Sequence, residues 1–211
     1  MNAPERFFLP DIQASADLRR LAIDKVGVRG LRYPLALLDA SGKVQHTVAQ
    51  LSMTVGLPSE QKGTHMSRFL EILEQRRAPL NLNRLLRLFE EMLQHLDADS
   101  GDIELAFPCF VSKVAPVSGV ESLLDYDVRM IVGKRPGEPV ELDLEVVAPV
   151  TSLCPCSREI SDYGAHNQRS HITIAVRLRS GMSPEELLRI AEEEASCEVF
   201  GLLKRPDEKW V

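Results

Sequence analysis

The chain has 211 residues, 44% of them hydrophobic and 27% charged, with a formal net charge of -6. That composition describes a globular chain able to bury a core. The negative balance argues against a general nucleic-acid or anionic-membrane binder, while leaving room for a local basic pocket.

No apolar run reaches the ~18–20 residues of a membrane span, and the first residues lack the basic-then-apolar order of a secretory leader. Four cysteines, Cys109, Cys154, Cys156 and Cys197, are too few for a dense disulfide framework, so a reducing cytoplasm is the expected setting. Residues 1–32 show no clear periodicity and are read as an N-terminal segment without regular structure. From Tyr33 to Leu38 the chain is apolar, and Asp39-Ala40-Ser41-Gly42 marks a turn. His46 to Leu57 then alternates, with Thr47, Ala49, Leu51, Met53, Val55 and Leu57 on one face, which predicts a half-buried strand closing a hairpin.

Two helices are predicted next, separated by Pro79. The first starts near Thr64 and carries Met66, Phe69, Leu70 and Leu73 on one face. The second starts at Asn81, a good N-cap, and repeats Leu82, Leu85, Leu86, Phe89, Met92, Leu93 and Leu96 at the helical period. Alternation resumes over Ile103–Val111 and Leu124–Val132, so residues 33–135 read as one ββααββ unit. The order begins again at 136. Strands are expected over Val140–Val146 and Ile172–Leu178. A helix then opens on Ser183-Pro184-Glu185-Glu186, with Leu187, Ile190, Ala191 and Ala195 on its apolar face. A charged loop, Lys204 to Lys209, follows. The second unit, 136–211, thus reads ββα, and its C-terminal part is expected to be missing from this sequence.

Three polar groups are candidates for chemistry. Cys154-Pro155-Cys156 has too tight a spacing for a paired-cysteine zinc knuckle, and in an extended segment its alternate side chains share a face. His166 follows Cys154 by twelve residues, in the loop between two predicted strands, so the two are able to meet at one ion. Thiolate plus imidazole suits zinc or another borderline divalent metal. Spacing alone leaves open an inert thiol and a solvated histidine. Glu208 is a third potential ligand, although Lys-Arg-Pro-Asp-Glu-Lys is ordinarily a solvated turn.

Lys62, His65 and Arg68 surround a predicted helix start and present an anion site without a Walker loop; a capped surface helix is the plainer alternative. Gln168 and Arg169 flank the Cys/His loop as substrate candidates or as an ordinary solvated pair. Cys109 and Cys197 are read as core residues.

Several segments together carry a specific resemblance: Pro149 to Ser170 (P-V-T-S-L-C-P-C-S-R-E-I-S-D-Y-G-A-H-N-Q-R-S), K-G-T-H-M-S-R-F, the closing L-L-K-R-P-D-E-K, and Pro10-Asp-Ile-Gln13. In this order the chain resembles the type IB GTP cyclohydrolase I family along essentially its whole length. The resemblance implies an α+β tunnelling fold of two tandem ββααββ-type units, a homotetramer with active sites between subunits, and a divalent ion (zinc or manganese, with iron a further option).

It places Cys154, His166 and Glu208 at metal positions, with Cys154 and His166 at the centre of catalysis. A further histidine ligand and a ring-anchoring glutamate of the family lie in C-terminal strands absent from this sequence. The implied reaction turns GTP and water into formate and 7,8-dihydroneopterin triphosphate, the first step towards tetrahydrofolate. Lys62, His65, Arg68, Gln168 and Arg169 become candidates for the nucleotide. Within the same fold, the alternative is a nitrile-reductase-like enzyme with Cys154 as covalent nucleophile; outside it, a non-catalytic metal-binding protein.

Overall fold

The alternating segments line up as neighbours in one antiparallel sheet. The computed structural model describes residues 15–75, 78–162, 167–179 and 181–211. Among these the long strands are β1 (Ile23–Leu38), β2 (Val44–Leu57), β3 (Gly101–Val114), β4 (Glu121–Lys134), β5 (Glu141–Leu153) and β6 (Asn167–Arg177), paired in chain order. The helices are α1 (Met66–Gln75), α2 (Leu82–His95), α3 (Pro155–Ile160), α4 (Pro184–Glu193) and α5 (Arg205–Trp210). A two-residue strand, β7 (Cys197–Glu198), pairs with the end of β5. The protein is therefore α+β, with an antiparallel sheet and few helices.

Period-two burial puts Ala49, Leu51, Met53 and Val55 on the core face, continued by Ile103, Leu105 and Phe107, Tyr126, Val128 and Val132, and Leu144, Val146 and Ala148. That face packs on Phe69, Ile72 and Leu73 of α1, Leu85, Leu88, Phe89 and Met92 of α2, and Leu187, Leu188 and Ala191 of α4 as a single core. The opposite face carries cross-strand ion pairs instead, such as Arg129–Glu104 at 2.8 Å and Arg177–Asp143 at 2.8 Å. Asn81 caps α2 by accepting from the Arg84 N–H, and Ser183 and Glu186 close a reciprocal capping box on α4.

Several expectations are corrected. β1 begins at Ile23, inside the segment read as irregular. Register shifts between Ile23 and Val26 and between Val28 and Leu31 break its alternation and hide it from a period-two reading. Between the two shifts, a Cβ on Gly27 would stand 2.1 Å from the Met53 carbonyl oxygen. On α1, Met66 and Leu70 are exposed, and Ile72 takes the buried place; on α4, Leu188 is buried where Ile190 was expected. β5 continues to Leu153 through the unbroken apolar run Val146–Val150, and β6 starts at Asn167, earlier than Ile172. The closing charged segment forms α5 rather than a loop. Among the described residues, no helix is long and apolar enough to cross a membrane.

Candidate active site

Cys154 stands where β5 ends. Pro155, with its fixed φ and missing N–H, begins α3 at once, and Cys154 is the residue before that helix. The Cys-Pro-Cys segment is therefore not extended: Cys156 lies on α3 and is exposed, whereas Cys154 is half-buried. None of the four cysteines is in a disulfide.

The register of β5 and β6 pairs Leu153 with Asn167. Their covalent neighbours across the connection are Cys154 and His166. His166 itself lies outside the described residues, as does the Pro10–Gln13 motif.

Gln168 and Arg169 are on β6, opposite Ser152 and Thr151, rather than in a loop. Both are exposed. Neighbours on a strand point to opposite faces: Arg169 shares its parity with Arg177 on the open face, and Gln168 shares its parity with Ile172, which packs towards the core.

Glu208 is an exposed residue of α5. The helix is held by its neighbour Asp207, which is 0% exposed and whose carboxylate accepts four hydrogen bonds. Oδ1 takes the backbone N–H groups of Val117 (2.9 Å) and Ser118 (2.8 Å). Oδ2 takes the Ser118 hydroxyl (2.6 Å) and the Lys204 N–H (2.7 Å). Burial opposes the charge, but the hydrogen bonds from Ser118, Lys204 and Val117 outweigh it and hold the carboxyl well below the usual carboxylate range. The turn 115–120 joins β3 to β4 at the end of the sheet where β5 stops, so Glu208 and Cys154 belong to the same end. The tail between them is stitched down as well. Leu153 N–H donates to Ser196 Oγ, and β7 pairs Cys197 with Thr151 and Glu198 with Val150.

Beneath this end lies a buried charged group that the sequence reading did not identify. Lys113 of β3 reaches Glu192 of α4 at 2.8 Å and also contacts Glu198 of β7, while Tyr126 donates its hydroxyl proton to Glu192. Burial works against the ammonium, but hydrogen bonds to Glu192 and then Glu198 raise its pKa above the ordinary lysine value. The available signal was positional: Lys113 occupies the same strand parity as Ile103, Leu105, Phe107 and Cys109. Cys109 is a core residue as expected, its thiol pushed up to about 11, chiefly by burial. Cys197 is only half-buried, on β7.

The second predicted cluster is elsewhere. Lys62 and His65 follow β2 at the end of the sheet marked by Leu57, Gly101 and Lys134, and Arg68 on α1 donates to the His95 carbonyl there (3.4 Å). A strand of β5's length spans roughly 40 Å, so within one chain the fold separates these three residues from Cys154, Gln168, Arg169 and Glu208.

A cavity of about 450 Å³ between the starts of α2 and α4 contains none of the candidates. Its wall includes Phe107, Met130, Asp39, Glu185 and Glu186, and these carboxylates do not suit a polyanion.

Among the described residues, no three His, Cys, Asp or Glu side chains form a ready metal cage. The donor types at the β5 end nevertheless fit a borderline divalent ion: a thiol at Cys154 and an exposed carboxylate at Glu208 on an anchored helix.

Comparison with known proteins identifies the family. The family model described as type I GTP cyclohydrolase folE2 matches residues 9–211. The chain is 70% identical over 211 residues to GTP cyclohydrolase FolE2 1 of Dechloromonas aromatica, covering all of this chain and 79% of that protein. It is 57% identical over 205 residues to GTP cyclohydrolase FolE2 of Ralstonia nicotianae and 56% over 205 residues to that of Burkholderia multivorans, covering 97% of this chain and 76% of each relative. The match carries the folE2 designation; the type IB label suggested by the motifs is finer than what it states. With similarity running along nearly the whole chain, the protein belongs to the type I GTP cyclohydrolase folE2 family.

Proposed function

We propose that the protein is a GTP cyclohydrolase I of folate biosynthesis, converting GTP and water into formate and 7,8-dihydroneopterin triphosphate. The observation that carries the reading is the 70% identity, along the full chain, to a relative named GTP cyclohydrolase FolE2. We keep the type IB label, the tunnelling fold, the cytoplasmic setting and the homotetramer as parts of this proposal. The order β1-β2-α1-α2-β3-β4 followed by β5-α3-β6-α4-β7-α5 supports two tandem units divided near 135, the first of which starts with β1 at Ile23 rather than at 33.

The residues assigned to a zinc or manganese ion are Cys154, His166 and Glu208. Bound there, such an ion supplies Lewis acidity that lowers the pKa of water for attack at neutral pH. Cys154 contributes a soft thiolate donor and Glu208 a hard carboxylate. His166 also exchanges protons as the imidazole ring of guanine opens and formate departs. Arg169 offers a permanent cation on the open face of β6 for the triphosphate. Gln168, of opposite parity, meets the same substrate only if the strand start turns.

Lys62, His65 and Arg68 retain a phosphate role only through a second copy of the chain whose opposite sheet end meets the Cys154 end of the first. The exposed apolar side chains Val114, Val117, Leu123, Leu202 and Trp210, around the 115–120 turn and the tail, support such self-association.

Incubation of the full-length protein with GTP and Zn²⁺ or Mn²⁺ tests the reading. Formate and an oxidisable fluorescent pterin are expected, and a chelator abolishes both. NADPH-dependent nitrile reduction without a metal would replace it with the reductase-like alternative.

A further inference from the structure

α5 has six residues, too few to hold a helix by backbone hydrogen bonds alone. Its packing does not help: Arg205, Pro206, Glu208, Lys209 and Trp210 are all exposed, Trp210 at 62%. The one buried side chain of α5 is Asp207, and it is polar. Its four acceptor contacts run to two elements. Three come from the β3–β4 turn, at Val117 and Ser118, and one comes from Lys204, the residue before the helix. A carboxylate receiving several N–H and O–H donors fixes direction as well as position, because both oxygens are engaged. Four residues after Lys204, the same hydrogen-bonded turn also carries Glu208, whose N–H donates to the Lys204 carbonyl at 3.0 Å.

We propose that Asp207 is a positioning residue for Glu208: by locking α5 onto the β3–β4 turn, it sets where the neighbouring carboxylate stands at the Cys154 end of the sheet. The proposal rests on the reading of Glu208 as a metal ligand. It assigns the turn 117–118, distant in sequence, a part in building the site. Ser118 is then the residue through which a change in that hairpin reaches Glu208. Supporting groups of this kind, which orient a ligand without touching the ion, typically govern a 10–100-fold range of metal affinity.

The test is Zn²⁺ affinity by competition with a chromophoric chelator, for the unaltered chain, Asp207→Asn, Glu208→Ala and the double variant. Asp207→Asn is expected to weaken Zn²⁺ binding about tenfold or more, and the double variant to bind no more weakly than Glu208→Ala alone. Ser118→Ala keeps both backbone donors and removes one hydroxyl. It is expected to give a smaller loss in the same direction, and it stands in if Asp207→Asn melts.

Full affinity in both Asp207→Asn and Ser118→Ala, beside a loss in Glu208→Ala, would overturn the positioning role and leave the ligand reading intact. An unchanged affinity in Glu208→Ala would overturn the ligand reading and the proposal with it. A further loss when Asp207→Asn is added to Glu208→Ala would show a general effect on the fold and overturn the proposal as well.

Discussion

Replacing Lys113 by methionine keeps most of the side-chain volume and removes the one cation of the buried group under the β7 tail. The Lys113 side chain is 8% exposed, Glu192 13% and Glu198 40%. The ammonium sits 2.8 Å from Glu192, touches Glu198, and lies 5.7 Å from the centre of the Phe200 ring. Without it, Glu198 turns to water, whereas Glu192 is left with the Tyr126 hydroxyl as its remaining partner in this group. Removing one member of a buried pair costs about 3–5 kcal/mol, and the exposure of Glu198 places Lys113→Met at the low end, about 3 kcal/mol.

That is a large share of the roughly 5–15 kcal/mol that stabilises a domain. Urea denaturation followed by far-ultraviolet circular dichroism measures it. Lys113→Met/Glu192→Leu is expected to regain most of the loss, because a matched apolar pair replaces a matched charged one. A single-variant loss below about 1 kcal/mol, or a double variant as unstable as the single one, would refute the view that the pair is buried and coupled.

Stability is expected to fall in alkali through Cys109. Its folded pKa is raised from 9.0 to about 11, so its contribution is complete below pH 9 and lost as pH rises from there to about 11. The slope is at most about 1.4 kcal/mol per pH unit in that window, and Cys109→Ala should reduce it between pH 9 and 10, below the range where the buried Tyr126 hydroxyl adds its own loss, in urea titrations at stepped pH; an identical slope there would contradict this. Gly201→Ala is expected to lower the melting temperature and loosen the tail, because a Cβ there meets the Leu123 carbonyl oxygen at 2.8 Å; an unchanged melt would show that the close approach is not needed. Arg169→Ala should raise the KM for GTP about tenfold with kcat nearly unchanged, the pattern of lost uniform binding, whereas Gln168→Ala should not. Equal effects would show that strand parity does not sort the two.

What could be read directly from the sequence follows the two periodicities. β2, β3 and β4 alternate and α2 repeats at 3.6 residues, so most of their buried positions were legible; on α2, however, Leu88 is buried although the sequence pattern passed over it, and Leu82, Leu86 and Leu93 are only half-buried. Where geometry departs from a period, legibility ended. The register shifts of β1 hid its first ten residues, and the continuous apolar run in β5 masked the strand's extension to Leu153.

α5 was missed because its composition is that of a solvated turn. Pro206 near the helix start and Asp207 three residues after Lys204 were the available start signals. Spacing raised Cys154 and His166 as one option among several, and the motif resemblance gave Glu208 its weight, since Cys154 and Glu208 belong to distant segments that only the sheet's topology brings to one end. The Lys62 cluster shows the converse: a plausible local anion site that the same topology carries to the far end of the sheet.

The most direct test is GTP turnover by the full-length protein loaded with Zn²⁺ or Mn²⁺, read as formate released and as pterin fluorescence after oxidation, with and without Cys154→Ala. Both products are expected from the full-length protein, none after chelation, and none from Cys154→Ala although that variant keeps its circular dichroism and melting profile. Turnover that persists in Cys154→Ala would contradict the assignment of this thiol to the catalytic centre.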